Sequence, residues 1–226
     1  LVLHRNGMLL AIMAIHVDDL KMTGDRSTID IIVKAVEKTF GQLILQWHKF
    51  TNCGVRHIQN PETMECSMDQ IEYVNALKQI RHPTFNGGTE TRDTIVGAEL
   101  FELFRSLRGA VGYALMTRGD AAVYMVALQR KQPDNTTYAD IRAMNAVVAY
   151  MQRYPEKVFY PRLGSSSHFR IYSDSAFKKE LECGHAIKGT LIMRVGGTKT
   201  LDSNGVLTSG PAHIIYRLLY TSHYTY

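Results

Sequence analysis

Cysteine is scarce in this chain of 226 residues: three occur, at positions 53, 66 and 183. An odd, scattered set argues against a disulfide framework and for a reducing compartment. No two of them have zinc-finger spacing, and Cys53 with His57 would need a partner pair that the sequence does not supply. A long hydrophobic run is also missing. The most apolar stretch, Met8 to His16, is nine residues, too short to span a bilayer, and no signal-peptide pattern precedes it. The expectation is an intracellular protein, cytoplasmic or nuclear, with no membrane partner. In that setting the sequon Asn135-Thr136-Thr137 and the tripeptide Arg118-Gly119-Asp120 carry no glycosylation or adhesion role. The chain opens on Leu1 rather than Met, close to the start of a strand, and reads as a fragment.

What is present is ordinary for a globular protein: 45% hydrophobic and 21% charged residues, enough length for a sizeable core and for one or two domains. The charge is uneven. Residues 1–99 hold 10 basic and 12 acidic side chains, whereas residues 100–226 hold 16 basic and 9 acidic, a net of +7. A basic half beside clustered carboxylates suits a nucleic-acid partner, because cationic side chains pair with phosphates; a generic basic surface is the alternative.

The stretch Gly7 to Asp25, GMLLAIMAIHVDDLKMTGD, organises the rest. Met8–His16 reads as a buried strand and Leu20–Thr23 as its hairpin partner, with Asp18 and Asp19 at the bend. Adjacent carboxylates repel, and an apolar flank desolvates them. A divalent cation would offset both costs, since Mg²⁺ prefers hard carboxylate oxygen. The alternative is a solvent-facing Asp-Asp turn.

Leu1–Arg5 precedes a strong hairpin signal, Asn6-Gly7, and adds a third strand. Ser27 or Thr28 is placed to cap a helix to Phe40, ended by Gly41, with Ile29, Ile32, Val33, Val36 and Phe40 at helical spacing. Residues 42–59 read as two strands, with a third at about Met64–Met68. Ser67–Ile80 reads as a helix opened by a Ser67/Gln70 capping box. Residues 81–97 lack periodicity and read as a surface linker. Leu100–Met116 and Asp120–Gln132 read as two helices, with Gly109 and Gly112 permitting close packing and Asp120 as an N-cap. Thr137–Tyr154 is a third, with Ile141, Met144, Ala146, Val147, Val148, Tyr150 and Met151 as its stripe. Beyond Lys157 the pattern turns to strands: Val158–Tyr160, 168–176, 183–187 and 191–197.

Several of these segments resemble the copia-type LTR retrotransposon Pol polyprotein. His16-Val17-Asp18-Asp19-Leu20 with Thr23-Gly24-Asp25 is similar to the YVDDL–TG block of its reverse transcriptase, His16 standing where Tyr is usual. Phe50 and Gly54 resemble an FLGIEI-like strand, and Gln70, Tyr73 and Leu77 an "sQ..Yi..lL" helix. Arg105, Ser106, Leu107, Gly109, Tyr113, Thr117, Arg118 and Asp120 match "yRsLvGaLlYla.tRPDIa", with Gly119 in place of Pro. Tyr172-Ser173-Asp174-Ser175-Ala176 resembles "GYSDADWA", the first strand of the RNase H domain.

The resemblance implies an α+β fold. Residues 1–80 would be the C-terminal part of a palm with an antiparallel sheet, 81–99 a linker, 100–156 a helical thumb or connection region, and 157–226 a partial RNase H-like sheet with a divergent tail. It implies Mg²⁺ (or Mn²⁺) on the catalytic pair Asp18 and Asp19, a second metal ligand site at Asp174, and phosphate contacts from Arg105 and Arg118. For either arginine a salt bridge or a solvated face is the alternative. Template-primer duplex and dNTPs would be the partners. The upstream polymerase aspartate and the later RNase H carboxylates have no counterpart in the sequence. The expectation is therefore a reverse-transcriptase segment inactive as this chain alone, or else a decayed or repurposed nucleic-acid-binding module.

Overall fold

A computed structural model describes residues 1–82, 92–163, 166–175, 186–196, 200–201, 207–208 and 212–222. The chain is α+β, and every strand pairing described below is antiparallel. It divides into two compact units, Leu1–Asn52 and Cys53–Tyr226. No helix among the described residues is long and apolar enough to cross a membrane.

The first unit is a three-stranded meander of β1 (Val2–Arg5), β2 (Met8–His16) and β3 (Asp19–Gly24), followed by helix α1 (Arg26–Phe40) and a short strand, β4 (Lys49–Asn52). Asn6 and Gly7 turn between β1 and β2 with φ of 51° and 77°, the left-handed pair that a two-residue hairpin of this kind requires. Helix α1 buries Ile29 and Val33, and Ala11 of β2 is buried in the same unit. The cap is not Ser27 or Thr28: Asp25 is the N-cap, and its carboxylate accepts from the Thr28 N–H at 3.0 Å and from the Ser27 and Thr28 hydroxyls. Phe40, expected on the buried stripe, is exposed. Residues 42–48 form no regular element, so the expected strand there shortens to β4.

The second unit begins with β5 (Val55–Gln59) and β6 (Cys66–Asp69), which pair with each other. On its other side β6 takes β7 (Val158–Tyr160), some ninety residues later in the chain. This pairing overrides the capping box expected at Ser67, which instead lies opposite Ile58 and Phe159. Helix α2 therefore runs only from Ile71 to Ala76. Its early end has a tertiary cause. Gln152 donates to the carbonyls of Val74 and Leu77, at 3.1 and 2.9 Å, and Asn145 brackets the Ile80 backbone, accepting at 2.8 Å and donating at 2.9 Å. The chain is drawn out into an extended segment that α5 satisfies polar group by polar group.

Helices α3 (Ala98–Ala114), α4 (Ala122–Leu128) and α5 (Tyr138–Arg153) enclose the main core. Leu100, Phe104, Leu107, Val111 and Ala114 line one face of α3 at helical spacing, and Ile141, Met144, Val148 and Met151 line one face of α5. Each of these side chains larger than alanine, taken out of water, contributes about 1.5–3 kcal/mol. Ala146, expected in the α5 stripe, is exposed. The glycines do not set a close helix approach: a Cβ at Gly109 would meet nothing within 4 Å, and at Gly112 only Gln129 Nε2 at 4.0 Å.

A capping box of Thr137 and Asp140 starts α5. Of the expected linker, residues 83–91 lie outside the described residues. Its end is tied down: Arg92, Thr94 and Val96 exchange backbone hydrogen bonds with Thr136, Tyr138 and Ala139, and Ile95 bridges to Thr137.

A second sheet of this unit has the order β12-β9-β8, from β8 (Ser167–Ser175), β9 (Ala186–Gly196) and β12 (Ala212–Ser222). A small hairpin of β10 (Thr200–Leu201) and β11 (Leu207–Thr208) lies between β9 and β12 in the sequence. The part of the tail described as β12 is strand from Ala212 to Ser222. The expected strand at 183–187 falls partly outside the described residues.

Candidate functional site

The hairpin of β2 and β3 closes in register, with His16 opposite Asp19, so Val17 and Asp18 alone make the turn. Val17 has φ 56°, a left-handed value that costs a β-branched residue of order 1–3 kcal/mol. Both Asp18 and Asp19 are exposed. Asp18 sits in the turn, and Asp19 is the first residue of β3. One acid therefore lies in the turn and the other at the start of the strand, so the alternation of side chains along a strand does not apply to the pair.

At the far end of β3, Gly24 has φ 154°, and a Cβ there would lie 2.2 Å from the Leu10 carbonyl oxygen. Only glycine fits, and Asp25 N–H then donates to that same carbonyl at 2.8 Å. The Thr-Gly-Asp sequence is a structural lock that runs directly into the cap of α1. Ser27 and Thr28 lower the Asp25 pKa by hydrogen bonding to the ionised carboxylate.

Around the tip, Asn52 of β4 donates to Asp19 Oδ2 at 3.4 Å, a contact between residues 33 positions apart that no local pattern signals. Lys21, two residues on from Asp19 and so on the same face of β3, holds its ammonium 5.8 Å from the Phe50 ring centroid. The remaining nearby acids are committed elsewhere, Asp25 to the cap and Asp30 to Arg26 at 3.0 Å. Among the described residues no three His, Cys, Asp or Glu side chains come together as a metal-holding group, which includes the Cys53–His57 pair. Asp18 and Asp19 nonetheless fit a magnesium ion as a partial donor set. Mg²⁺ is commonly held by one or two carboxylates, the rest of its octahedron being water and substrate phosphate.

The other expected site residues lie in the second unit. Asp174 is exposed on β8, opposite Gly189. Arg105 is exposed on α3 and ion-paired with Glu102 one turn earlier, at 2.6 Å. Arg118 is placed differently. Its side chain is 2% exposed, Nε and Nη2 donate to the two Asp120 oxygens at 3.0 and 2.8 Å, and Nη1 donates to the Met151 carbonyl at 2.6 Å. This is the salt-bridge alternative. The guanidinium ties the end of α3 to the end of α5 and is turned away from solvent. Asp120 does not cap α4: the N-cap of that helix is Ala121, and no side chain caps it. Burial works to raise the Asp120 pKa, but the hydrogen bond and charge of Arg118 outweigh it and hold the carboxyl below its usual range.

The motif segments lie apart in the sequence, and the fold joins them in pairs. Thr117 donates to the buried Gln70 side chain at 3.0 Å. Tyr73 and Tyr113 meet edge to face with centroids 5.3 Å apart, and the Tyr73 hydroxyl donates to the Ala110 carbonyl. The Tyr113 hydroxyl donates to the Cys53 carbonyl. Three tyrosines, Tyr124, Tyr150 and Tyr154, make a row. Tyr150 on α5 and Tyr154 at its C-cap stand four apart, a spacing visible in the sequence, but Tyr124 reaches them only through tertiary packing. No protein-family model, curated protein or solved structure matches the chain.

Proposed function

We propose that this chain is a segment of a copia-type retrotransposon Pol polyprotein, related to RNA-directed DNA polymerases that copy a template-primer with dNTPs. The observation that carries the reading is the hairpin tip. Two exposed carboxylates, Asp18 and Asp19, share one tight turn, and the Gly24 behind it admits no side chain. Supporting it, the motif residues of separate segments meet in pairs, Gln70 with Thr117 and Tyr73 with Tyr113. The strand that carries Asp174 opens a three-stranded antiparallel sheet, as the leading strand of an RNase H-like sheet would.

In this reading Asp18 and Asp19 would hold Mg²⁺ (or Mn²⁺), which when bound supplies charge neutralisation and orientation for phosphoryl transfer. The chain's own part is to present the carboxylates on a short, registered hairpin and to hold Asp19 by the Asn52 amide. Two-metal chemistry needs further carboxylates, and none joins Asp18 and Asp19 among the described residues. This chain alone is therefore expected not to extend a primer.

Manganese titration followed by NMR tests the site. Broadening of amide signals centred on Asp18 and Asp19, abolished in Asp18→Asn/Asp19→Asn, is expected. Uniform or absent broadening overturns the metal reading. Mg²⁺-dependent dNTP incorporation that disappears in Asp18→Asn would overturn the prediction of inactivity. The second reading, a non-catalytic nucleic-acid-binding module, is favoured by the incomplete carboxylate set and by the excess of basic residues after position 99. It predicts salt-sensitive binding that survives loss of both aspartates.

A further inference from the structure

We propose that Tyr124, Tyr150 and Tyr154 form a stacking platform for unpaired nucleobases, with Arg153 beside it for the nucleic-acid backbone. Tyr150 is central. Its ring centroid lies 5.8 Å from that of Tyr124 on α4 and 5.5 Å from that of Tyr154, with interplanar angles of 64° and 50°. Tyr124 and Tyr154 remain 56% and 50% exposed. Scattered exposed aromatics need no explanation, but these three make a contiguous row on the helical part of the second unit.

The row is held from beneath. The Arg118 guanidinium lies 5.7 Å from the Tyr150 ring centroid, and Tyr150 is hydrogen-bonded to Asp120, itself clamped by Arg118. Tyr124 and Tyr154 each rest against this fixed ring, which lowers the side-chain entropy they lose when a ligand stacks on them. The three rings already touch, so a base cannot enter between them and must stack on the outer faces of Tyr124 or Tyr154.

Charge favours a polyanion over an apolar protein partner. The Arg153 guanidinium lies 5.4 Å from the Tyr154 ring centroid, and exposed Lys157 and Arg162 follow the row in sequence against one acid, Glu156. Exposed Phe159 is interleaved with them. Aromatic faces alternating with cationic side chains are how single strands are held without base-specific hydrogen bonds. A duplex offers open base faces only at its ends, so the chemistry selects unpaired nucleotides. The proposal rests on the nucleic-acid reading for its class of ligand, but it uses none of Asp18, Asp19 or Asp174, so the two can fail separately.

The test is fluorescence anisotropy with the full chain, using a labelled short oligothymidylate and a blunt duplex of equal length at fixed salt. Tyr124→Ala and Tyr154→Ala are each expected to weaken oligothymidylate binding roughly five- to a hundredfold, with duplex binding nearly unchanged. Tyr124→Phe and Tyr154→Phe are expected to bind as wild type, because the stacking face is kept. Arg153→Gln is expected to reduce the salt dependence by about one charge. The proposal is overturned if the wild-type chain does not bind the oligothymidylate, if the alanine variants bind it unchanged, or if they lose the duplex equally. Self-association in sedimentation velocity that the alanine variants abolish while oligothymidylate binding persists also overturns it, assigning the row to a second copy. Retained binding in Asp18→Asn/Asp19→Asn is expected, so loss of the metal site leaves this result standing.

Discussion

Replacing Asp120 by Asn tests whether Arg118 is an internal anchor. The substitution keeps size and shape and removes one charge. Arg118 would then hold a guanidinium at 2% exposure with only the Met151 carbonyl and a neutral amide to satisfy it. Breaking a buried ion pair on one side costs about 3–5 kcal/mol, mostly as the penalty of stranding the other charge. The Asp120 side chain is 33% exposed, so water screens part of the loss, and about 2–3 kcal/mol is expected. In thermal unfolding this is a fall of roughly 4–12 °C.

The pH dependence gives an independent sign. Asp120 has a depressed pKa in the folded state. Its contribution is therefore complete above the unfolded carboxyl value and is lost as pH falls through the lower folded value. The gap between wild type and Asp120→Asn should be widest near neutral pH and should close in acid. Far-ultraviolet circular dichroism during urea and thermal unfolding, at neutral pH and near pH 3, measures both. An Asp120→Asn variant within about 0.5 kcal/mol of wild type at neutral pH, or a gap that does not narrow in acid, would refute the reasoning. Loss of nucleic-acid affinity in Arg118→Lys with stability unchanged would return Arg118 to a phosphate contact.

Two further substitutions probe the hairpin and the clamp on the chain after α2. Gly24→Ala places a Cβ 2.2 Å from the Leu10 carbonyl oxygen at φ 154°; a loss of at least about 2 kcal/mol is expected, read as faster amide exchange at Asp25, and wild-type exchange there would show that the backbone absorbs the contact. Asn145→Ala strands the Ile80 N–H and carbonyl, with an expected cost of about 1–3 kcal/mol and accelerated exchange at Ile80 while Val74 stays protected. Equal acceleration at both would mean that Asn145 supports α2 as a whole.

Much of the local architecture is legible in the residues. Asn6-Gly7 dictates the first hairpin because both positions must be left-handed. The apolar spacing of α1, α3 and α5 dictates three helices, and the Asp-Asp pair falls at the bend because apolar runs flank it. The chemistry of the tip is less legible. That Asp19 meets Asn52 depends on a return of the chain some thirty residues later, and no local pattern encodes it. Asp120 and Arg118 read equally well as a cap and a phosphate contact, since only burial separates a solvated arginine from an anchoring one.

The sequence by itself determined what rests on near neighbours: turn type, helix periodicity, the end of α1 at Gly41 and the clustering of carboxylates at one bend. The tertiary structure decided what rests on distant hydrogen-bond partners. Ser67–Ile80 has helical spacing throughout, yet Cys66–Asp69 is strand because β5 and β7 satisfy both of its edges, and the helix stops at Ala76 because Gln152 and Asn145 take the backbone groups beyond it. Helical propensity differs by only tenths of a kcal/mol between ordinary residues. A buried backbone group left unpaired costs about 1–3 kcal/mol, so where the two conflict the distant partner prevails.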